Sequence, residues 1–161
     1  MKTLYLIRHA KSSWAFDLSD HDRPLGKRGR RDVIKMGQHL VSNQAKPETY
    51  ISSTASRAFY TALHFCDQLG VDEGRIKLEK SLYHAGANEI LAITKSSPNC
   101  ERLALFGHNP GFTNAANAFA NLNFDNIPTC GVVGINFDVK YWKDIAFGEG
   151  QLAFFYFPKE I

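Results

Sequence analysis

An apolar run, Leu4-Tyr5-Leu6-Ile7, stops at Arg8-His9, a cation followed by an imidazole. Arginine offers a planar, permanently charged fork for phosphate or carboxylate, and a neutral imidazole can serve as nucleophile, base or metal ligand. Alone, the pair is also what a strand end dipping into solvent looks like. Two other places change its weight. A second short apolar run ends in Ser52-Ser53-Thr54 and leads to Arg57, and a third ends at Gly107-His108 before Asn109-Pro110. Two guanidiniums, two imidazoles and the N-termini of helices, gathered at neighbouring strand ends, suit a dianionic ligand, most naturally phosphate.

The chain pattern supplies elements that would bring them together. Leu4 to Ile7 reads as a buried first strand, and the residues at its C-terminal end lie where open α/β sheets place ligands. Lys11 to Gly26 is a polar stretch, long for a connection and therefore a candidate functional loop. Helical spacing of Val33, Ile34, Gly37, Leu40 and Val41 predicts a helix over Lys27 to Ser42, and Pro47 interrupts the pattern. Tyr50-Ile51 begins a second strand whose terminal hydroxyls suit capping of a helix over Ser56 to Leu69. That helix would turn Phe59, Ala62, Leu63, Cys66 and Leu69 inward, with Gly70 as its stop.

A third strand over Arg75 to Glu79, a helix over Ala87 to Lys95 and a strand over Leu103 to Phe106 follow. Asn109 as cap and Pro110 as first helical residue would open a helix to about Asn121. Two β runs, Val132 to Phe137 and Gln151 to Phe157, close the chain without an intervening helix. The expected fold is α/β: a three-layer α/β/α sandwich whose central sheet is mostly parallel, with an antiparallel pairing at the end. Residues 1–161 are expected to form one domain, long enough to bury its own core.

The net charge of +3 with 22% charged residues does not call for nucleic acid, because no nucleic-acid-binding signature or long basic stripe accompanies it. Lys27-Arg28-Gly29-Arg30-Arg31 reads as a solvated helix start. Cys66, Cys100 and Cys130 are odd in number and widely spaced, so neither a disulfide framework nor a zinc ribbon is indicated. No metal or cofactor is expected, since the six histidines lack close ligand spacing, and His21, His39 and His64 read as ordinary loop or helix residues. With no signal-peptide core and no membrane-length apolar stretch, a cytoplasmic location is expected.

The motifs in their order resemble the histidine phosphatase superfamily, which has the phosphoglycerate-mutase-like fold. Its R-H-G after the first strand corresponds to Arg8-His9-Ala10, its S-P-x-x-R-A-x-x-T block to Ser53 through Thr61, and its late histidine to His108 in Gly107-His108-Asn109-Pro110. The small size and the Arg23-Pro24-Leu25 turn look like the SixA-type phosphohistidine phosphatase branch. The resemblance implies that His9 attacks phosphorus and becomes a transient phosphohistidine, while Arg8, Arg57 and a charged His108 hold the phosphoryl oxygens and keep His9 neutral. By its family position Arg23 is a candidate cation facing the substrate or supporting those that do, or else a turn arginine, and Ser12 and Asn109 are candidate phosphate contacts or a loop hydroxyl and a helix cap. Trp14 is a candidate substrate contact or a loop anchor.

Two motif positions depart from the family: Ala10 replaces glycine and Thr54 replaces proline. More consequential is the acid that many phosphomonoesterases and mutases of the superfamily carry, where this chain has Lys80-Ser81-Leu82-Tyr83-His84, with Glu79 displaced by one position. Asp17, Asp20, Asp22 and His84 are the candidate replacements. An alkoxide leaving group needs protonation more than an imidazole does, so the missing acid favours a phosphoramidate. The expected activity is a phosphohistidine phosphatase acting on a phosphorylated protein. The alternatives are a phosphomonoesterase acting on a small phosphorylated metabolite and a non-catalytic phosphate or phosphoprotein binding module.

Overall fold

The computed structural model describes residues 1–161. Its strands are β1 (Lys2–Arg8), β2 (Thr49–Ser52), β3 (Ile76–Leu78), β4 (Arg102–Gly107), β5 (Val132–Phe137) and β6 (Gln151–Tyr156). Its helices are α1 (Lys27–Asn43), α2 (Ser56–Leu69), α3 (Ala87–Lys95) and α4 (Gly111–Ala120). The six strands form one sheet in the order β3-β2-β4-β1-β5-β6. β1 to β4 are mutually parallel, whereas β5 runs antiparallel to both β1 and β6. Parallel neighbours put the C-terminal ends of β1, β2 and β4 on one edge, so Arg8-His9, Ser53 and His108 emerge side by side.

Alternation along the strands sorts the two cores. Leu4 and Leu6 of β1 face a core with Ile90, Phe112, Ala116 and Phe119 of α3 and α4. Tyr5 and Ile7 face the other, with Val33, Met36 and Leu40 of α1 and Phe65 and Cys66 of α2. The sheet is thus covered on both faces, the three-layer arrangement that buried parallel strands require.

Helix faces differ in detail from the sequence expectation. In α1, Gly29 and Met36 are buried with Val33, Gly37 and Leu40, while Ile34 and Val41 are exposed. In α2 the buried set is Arg57, Ala58, Thr61, Ala62, Phe65, Cys66 and Leu69, and Phe59 and Leu63 are only half-buried. α2 is rotated so that Arg57 and Thr61 reach the sheet edge, which carries Phe65 into the core and Phe59 towards its rim. The hydroxyl cluster does not cap α2, whose N-cap is Ala55. α4 begins at Gly111, one residue beyond the expected start, and ends at a left-handed Asn121.

The loop between β1 and α1 is fastened at its base. Ser12 bridges to Leu25, Gly26 N–H donates to Lys11 C=O at 2.9 Å, and Ser13 N–H donates to Pro24 C=O at 2.8 Å. A Cβ on Gly29 would lie 2.2 Å from the Lys11 carbonyl oxygen, a backbone atom with little room to retreat. Gly29→Ala is therefore expected to destabilise the fold by about 1–3 kcal/mol. Urea unfolding would show a lowered midpoint with an unchanged slope, and a midpoint equal to the parent's would refute this account of the contact.

Candidate active site

His9 is held by backbone on both sides. Its N–H donates to Gly107 C=O of β4, and its C=O accepts from Cys130 N–H just ahead of β5, each at 3.0 Å. Ala10 N–H donates to Thr61 Oγ1 at 2.9 Å, and that hydroxyl donates to Arg57 C=O at 2.7 Å. The residue after the histidine is thereby tied to α2. Ala10 is fully buried in the core under α1 and α2, so the methyl group that replaces the family glycine is accommodated by packing.

The His9 ring has a defined tautomer. Nδ1 lies 2.8 Å from Ala10 C=O, which can only accept, so Nδ1 carries the proton and Nε2 presents a lone pair. Burial, with further contributions from Arg57, Arg8 and Arg23, lowers its pKa to about 4, although the Ala10 hydrogen bond opposes this. His108, whose ring centroid is 5.3 Å from that of His9, is lowered to about 3, by burial first and then by His9, Arg57 and His84. The expectation of a charged His108 is thus corrected: burial first, with Arg57 nearby, disfavours the charged ring in the free site. His108 Nε2 lies 2.9 Å from Ser53 Oγ, and that hydroxyl oxygen accepts from Ala55 N–H at 3.2 Å.

Both depressed histidines link to stability with the same sign. The unfolded chain takes up these protons near pH 6.5, whereas the native chain refuses them until about pH 4 and 3. Their contribution is complete above about pH 6.5 and is lost as the pH falls towards the native values. At pH 5.5, ¹⁵N chemical shifts should report His9 as neutral with its proton on Nδ1. A titration midpoint near the ordinary histidine value would contradict the burial argument.

The two arginines are held by different partners. Arg8 Nη1 donates to Ile127 C=O at 2.7 Å, and burial, then Arg57, lowers its pKa. Arg57 Nη1 donates to Asp20 C=O at 2.7 Å and Nη2 to Asp20 Oδ2 at 3.1 Å. Four buried side-chain polar atoms lack a hydrogen-bond partner, and three of them belong here: Arg8 Nε, Arg57 Nε and His108 Nδ1. Buried unpaired donors are costly, and several on adjoining residues mark a place for an acceptor-rich ligand.

The remaining candidates fall into distinct places. Arg23 is buried, donates to Ser12 Oγ and, at 3.0 Å, to Asp20 Oδ1, and lies 3.6 Å from the Trp14 ring centroid. Ser12 thus anchors Arg23, and Trp14 covers it. Asn109 is committed elsewhere: its amide donates to Asn126 Oδ1 and Ile127 C=O, and its Oδ1 accepts from Thr113. With both amide hydrogens engaged, the Asn109 side chain braces the start of α4.

Among the candidate acids, Asp20 takes hydrogen bonds from Tyr83 at 2.7 Å, Arg23 and Arg57. The Tyr83 hydroxyl, then Arg23 and Arg57, hold its carboxyl well below the usual range against the opposing effect of desolvation, so it is a fixed anion and not a proton donor. Asp22 pairs with His21 and Ser19, and Glu79 accepts from Ser81. Asp17 is exposed and makes no ion pair. His84 lines a hollow of about 170 Å³ with His108 and packs against Tyr83 at 3.9 Å between ring centroids, the rings tilted by 36°. His21, read as an ordinary loop residue, bonds through Nε2 to Thr54 Oγ1 at 2.9 Å, a partner that the family proline would not provide.

Tyr83 had no sequence signal. Ser53 lay within a quoted motif, but its bond to His108 depends on strands distant in sequence. No group of three His, Cys, Asp or Glu side chains is placed to hold a metal ion, and no helix is long and apolar enough to cross a membrane.

The sheet edge thus carries a tautomer-fixed imidazole with Arg8, Arg57 and Arg23 as charged neighbours, a site suited to a phosphoryl group. Residues 4–87 match the histidine phosphatase superfamily (branch 1), and the chain belongs to that superfamily as a phosphatase. An uncharacterised chloroplastic protein of Arabidopsis thaliana is 31% identical over 153 residues, spanning 89% of this chain and 70% of its own. An uncharacterised Mycobacterium tuberculosis protein is 28% identical, spanning 95% of this chain and all of its own. The fold is shared with SixA from Agrobacterium tumefaciens (TM-score 0.81, 23% identity, 98% of each chain). It is also shared with a mycobacterial glucosyl-3-phosphoglycerate phosphatase (TM-score 0.70, 14% identity, 94% and 97% of the chains).

Proposed function

We propose that this phosphatase removes the phosphoryl group from phosphohistidine on a protein, with His9 as the nucleophile, as in the SixA-type branch. The observation that carries the reading is the His9 ring, its Nε2 lone pair free, beside three buried nitrogens with no protein partner, the Nε–H groups of Arg8 and Arg57 and Nδ1 of His108. The substrate phosphoryl would occupy that space, its oxygens accepting from Arg8 Nε, Arg57 Nε and His108 Nδ1. Ser53 would donate to His108 Nε2 and so keep the proton on Nδ1.

In the first step the bond from His9 Nε2 to phosphorus forms while the bond from the substrate nitrogen to phosphorus breaks. The electron pair stays on that nitrogen, and the substrate imidazole, already protonated at its other nitrogen, departs neutral. Water then attacks phospho-His9, giving dihydrogen phosphate and the original neutral His9 with its Nδ1 proton retained. Fixed donors stabilise the charge moving through the equatorial oxygens.

The choice of substrate is supported by the state of Asp20. The carboxylate nearest the arginines is locked as an anion, so an alkoxide would find no carboxylic acid there. The test is to incubate the enzyme with a histidine-phosphorylated carrier protein and a panel of sugar and aryl phosphates. Preferential loss of phosphohistidine is expected. Efficient ester hydrolysis with phosphohistidine untouched would replace this reading with a small-molecule phosphomonoesterase, in which His84 is the candidate donor. Binding of phosphate without turnover of either class would indicate a binding module.

A further inference from the structure

The loop between β1 and α1 carries a feature that phosphate chemistry leaves unused. Trp14, Phe16 and Leu18 lie within five residues of one another and are 74%, 60% and 49% exposed. Beside the base of the loop, Pro24, Leu25, Arg30, Tyr60 and His64 line a groove of about 270 Å³, and Tyr60 lies one helical turn beyond Arg57. Clustered exposed apolar side chains of this size mark interaction surfaces, whereas scattered ones do not.

The patch is joined to the site by a continuous set of contacts. The Trp14 ring covers the Arg23 guanidinium, Arg23 holds Asp20, and Asp20 holds Arg57 through its carboxylate and its carbonyl. Trp14 thus ties this loop to the phosphoryl pocket, and the exposed Phe16 and Leu18 follow it two and four residues further along the same loop. The charge nearby is one-sided at the start of α1, where Lys27, Arg30 and Arg31 are exposed and form no ion pair, and only Arg28 has a carboxylate partner, Asp32 at 3.6 Å. Asp17 is the one exposed carboxylate within the apolar stretch itself.

We infer that Phe16 and Leu18, with the cationic start of α1, form the docking surface for the phosphorylated protein, recognising apolar side chains and carboxylates around its phosphohistidine. This rests on the phosphohistidine reading above. The apolar contacts supply affinity, and the cations steer encounter and suppress basic partners.

The test compares two substrates, a histidine-phosphorylated carrier protein and p-nitrophenyl phosphate, in the parent and in two double variants. For Phe16→Ser/Leu18→Ser, KM for the phosphoprotein should rise roughly tenfold, the loss of about 1.4 kcal/mol of binding. Its kcat, and both constants for p-nitrophenyl phosphate, should be unchanged. Lys27→Glu/Arg31→Glu should raise the same KM and remove most of its dependence on ionic strength. Equal KM values for the phosphoprotein in parent and variants would overturn the docking surface while leaving the phosphohistidine reading intact. A parent that hydrolyses p-nitrophenyl phosphate but no phosphoprotein would overturn both. Loss of binding to anionic vesicles in the apolar variant, with phosphoprotein KM unchanged, would assign the patch to a lipid surface instead.

Discussion

His9→Ala is expected to lower kcat by on the order of 10⁴-fold or more, because removing a covalent nucleophile abolishes the divided pathway and leaves only binding and charge stabilisation. The parent enzyme, quenched in base during slow turnover, should carry one phosphoryl group on His9, stable in alkali and lost in acid, as a phosphorylated imidazole is. His9→Ala should carry none. The structure makes the expectation specific to Nε2, since Nδ1 is committed to Ala10 C=O. Replacement by Gln would keep a polar group in the buried position but supply no ring nitrogen, so it should fail as completely as Ala. Label found instead on His108, or no label with full turnover, would move the nucleophile away from His9. Retained fold is checked by thermal unfolding, and orthophosphate should still raise the melting temperature of His9→Ala, because the arginine donors remain.

Much of the geometry behind that expectation was legible from strand ends. Arg8-His9 and Gly107-His108 each follow an apolar run, and parallel pairing of β1 with β4 places Arg8 opposite Gly107. The bounds of α2 were equally legible, since Gly70 adopts the left-handed conformation that stops it. The inward face of α2 was not. Hydrophobicity favours Phe59 and Leu63, but Arg57 must be turned to the sheet edge, and the side chain that rotates into the core with it is Phe65. Asn109 was read from local cap chemistry, yet its amide is claimed by Asn126 and Ile127, a contact between segments with no shared pattern.

Asp20 shows the limit most clearly. Its residue type suggested an acid or a turn former, and only the approach of Arg57 and Tyr83, 37 and 63 residues further on, makes it a permanent anion. The state of a titratable group is set by its neighbours in space, which spacing along the chain does not specify.

Asp20 and Arg57 yield a second pair of large and opposed effects. Arg57→Lys should lower kcat/KM by about 10²–10³-fold, the scale on which removal of a fixed donor to developing charge is felt. The guanidinium uses three directions at once: Nη1 to the Asp20 carbonyl, Nη2 to its carboxylate, and Nε buried without a protein partner. An ammonium group is a compact charge without this planar fork, so lysine can keep the charge or the latch but not the whole geometry. Asp20→Asn separates these roles. The main-chain carbonyl still holds Nη1 and the amide oxygen can still accept from Nη2, so Arg57 stays in place while the amide nitrogen turns to Arg23, which loses its carboxylate acceptor, and a negative charge disappears from between the two arginines. Orthophosphate should then bind severalfold more tightly, read as a lower product-inhibition constant, while turnover of phosphohistidine falls far less than in Arg57→Lys. Equal losses in the two variants would mean that Asp20 acts only by holding Arg57. An Arg57→Lys enzyme within a few-fold of the parent would remove Arg57 from the phosphoryl site altogether.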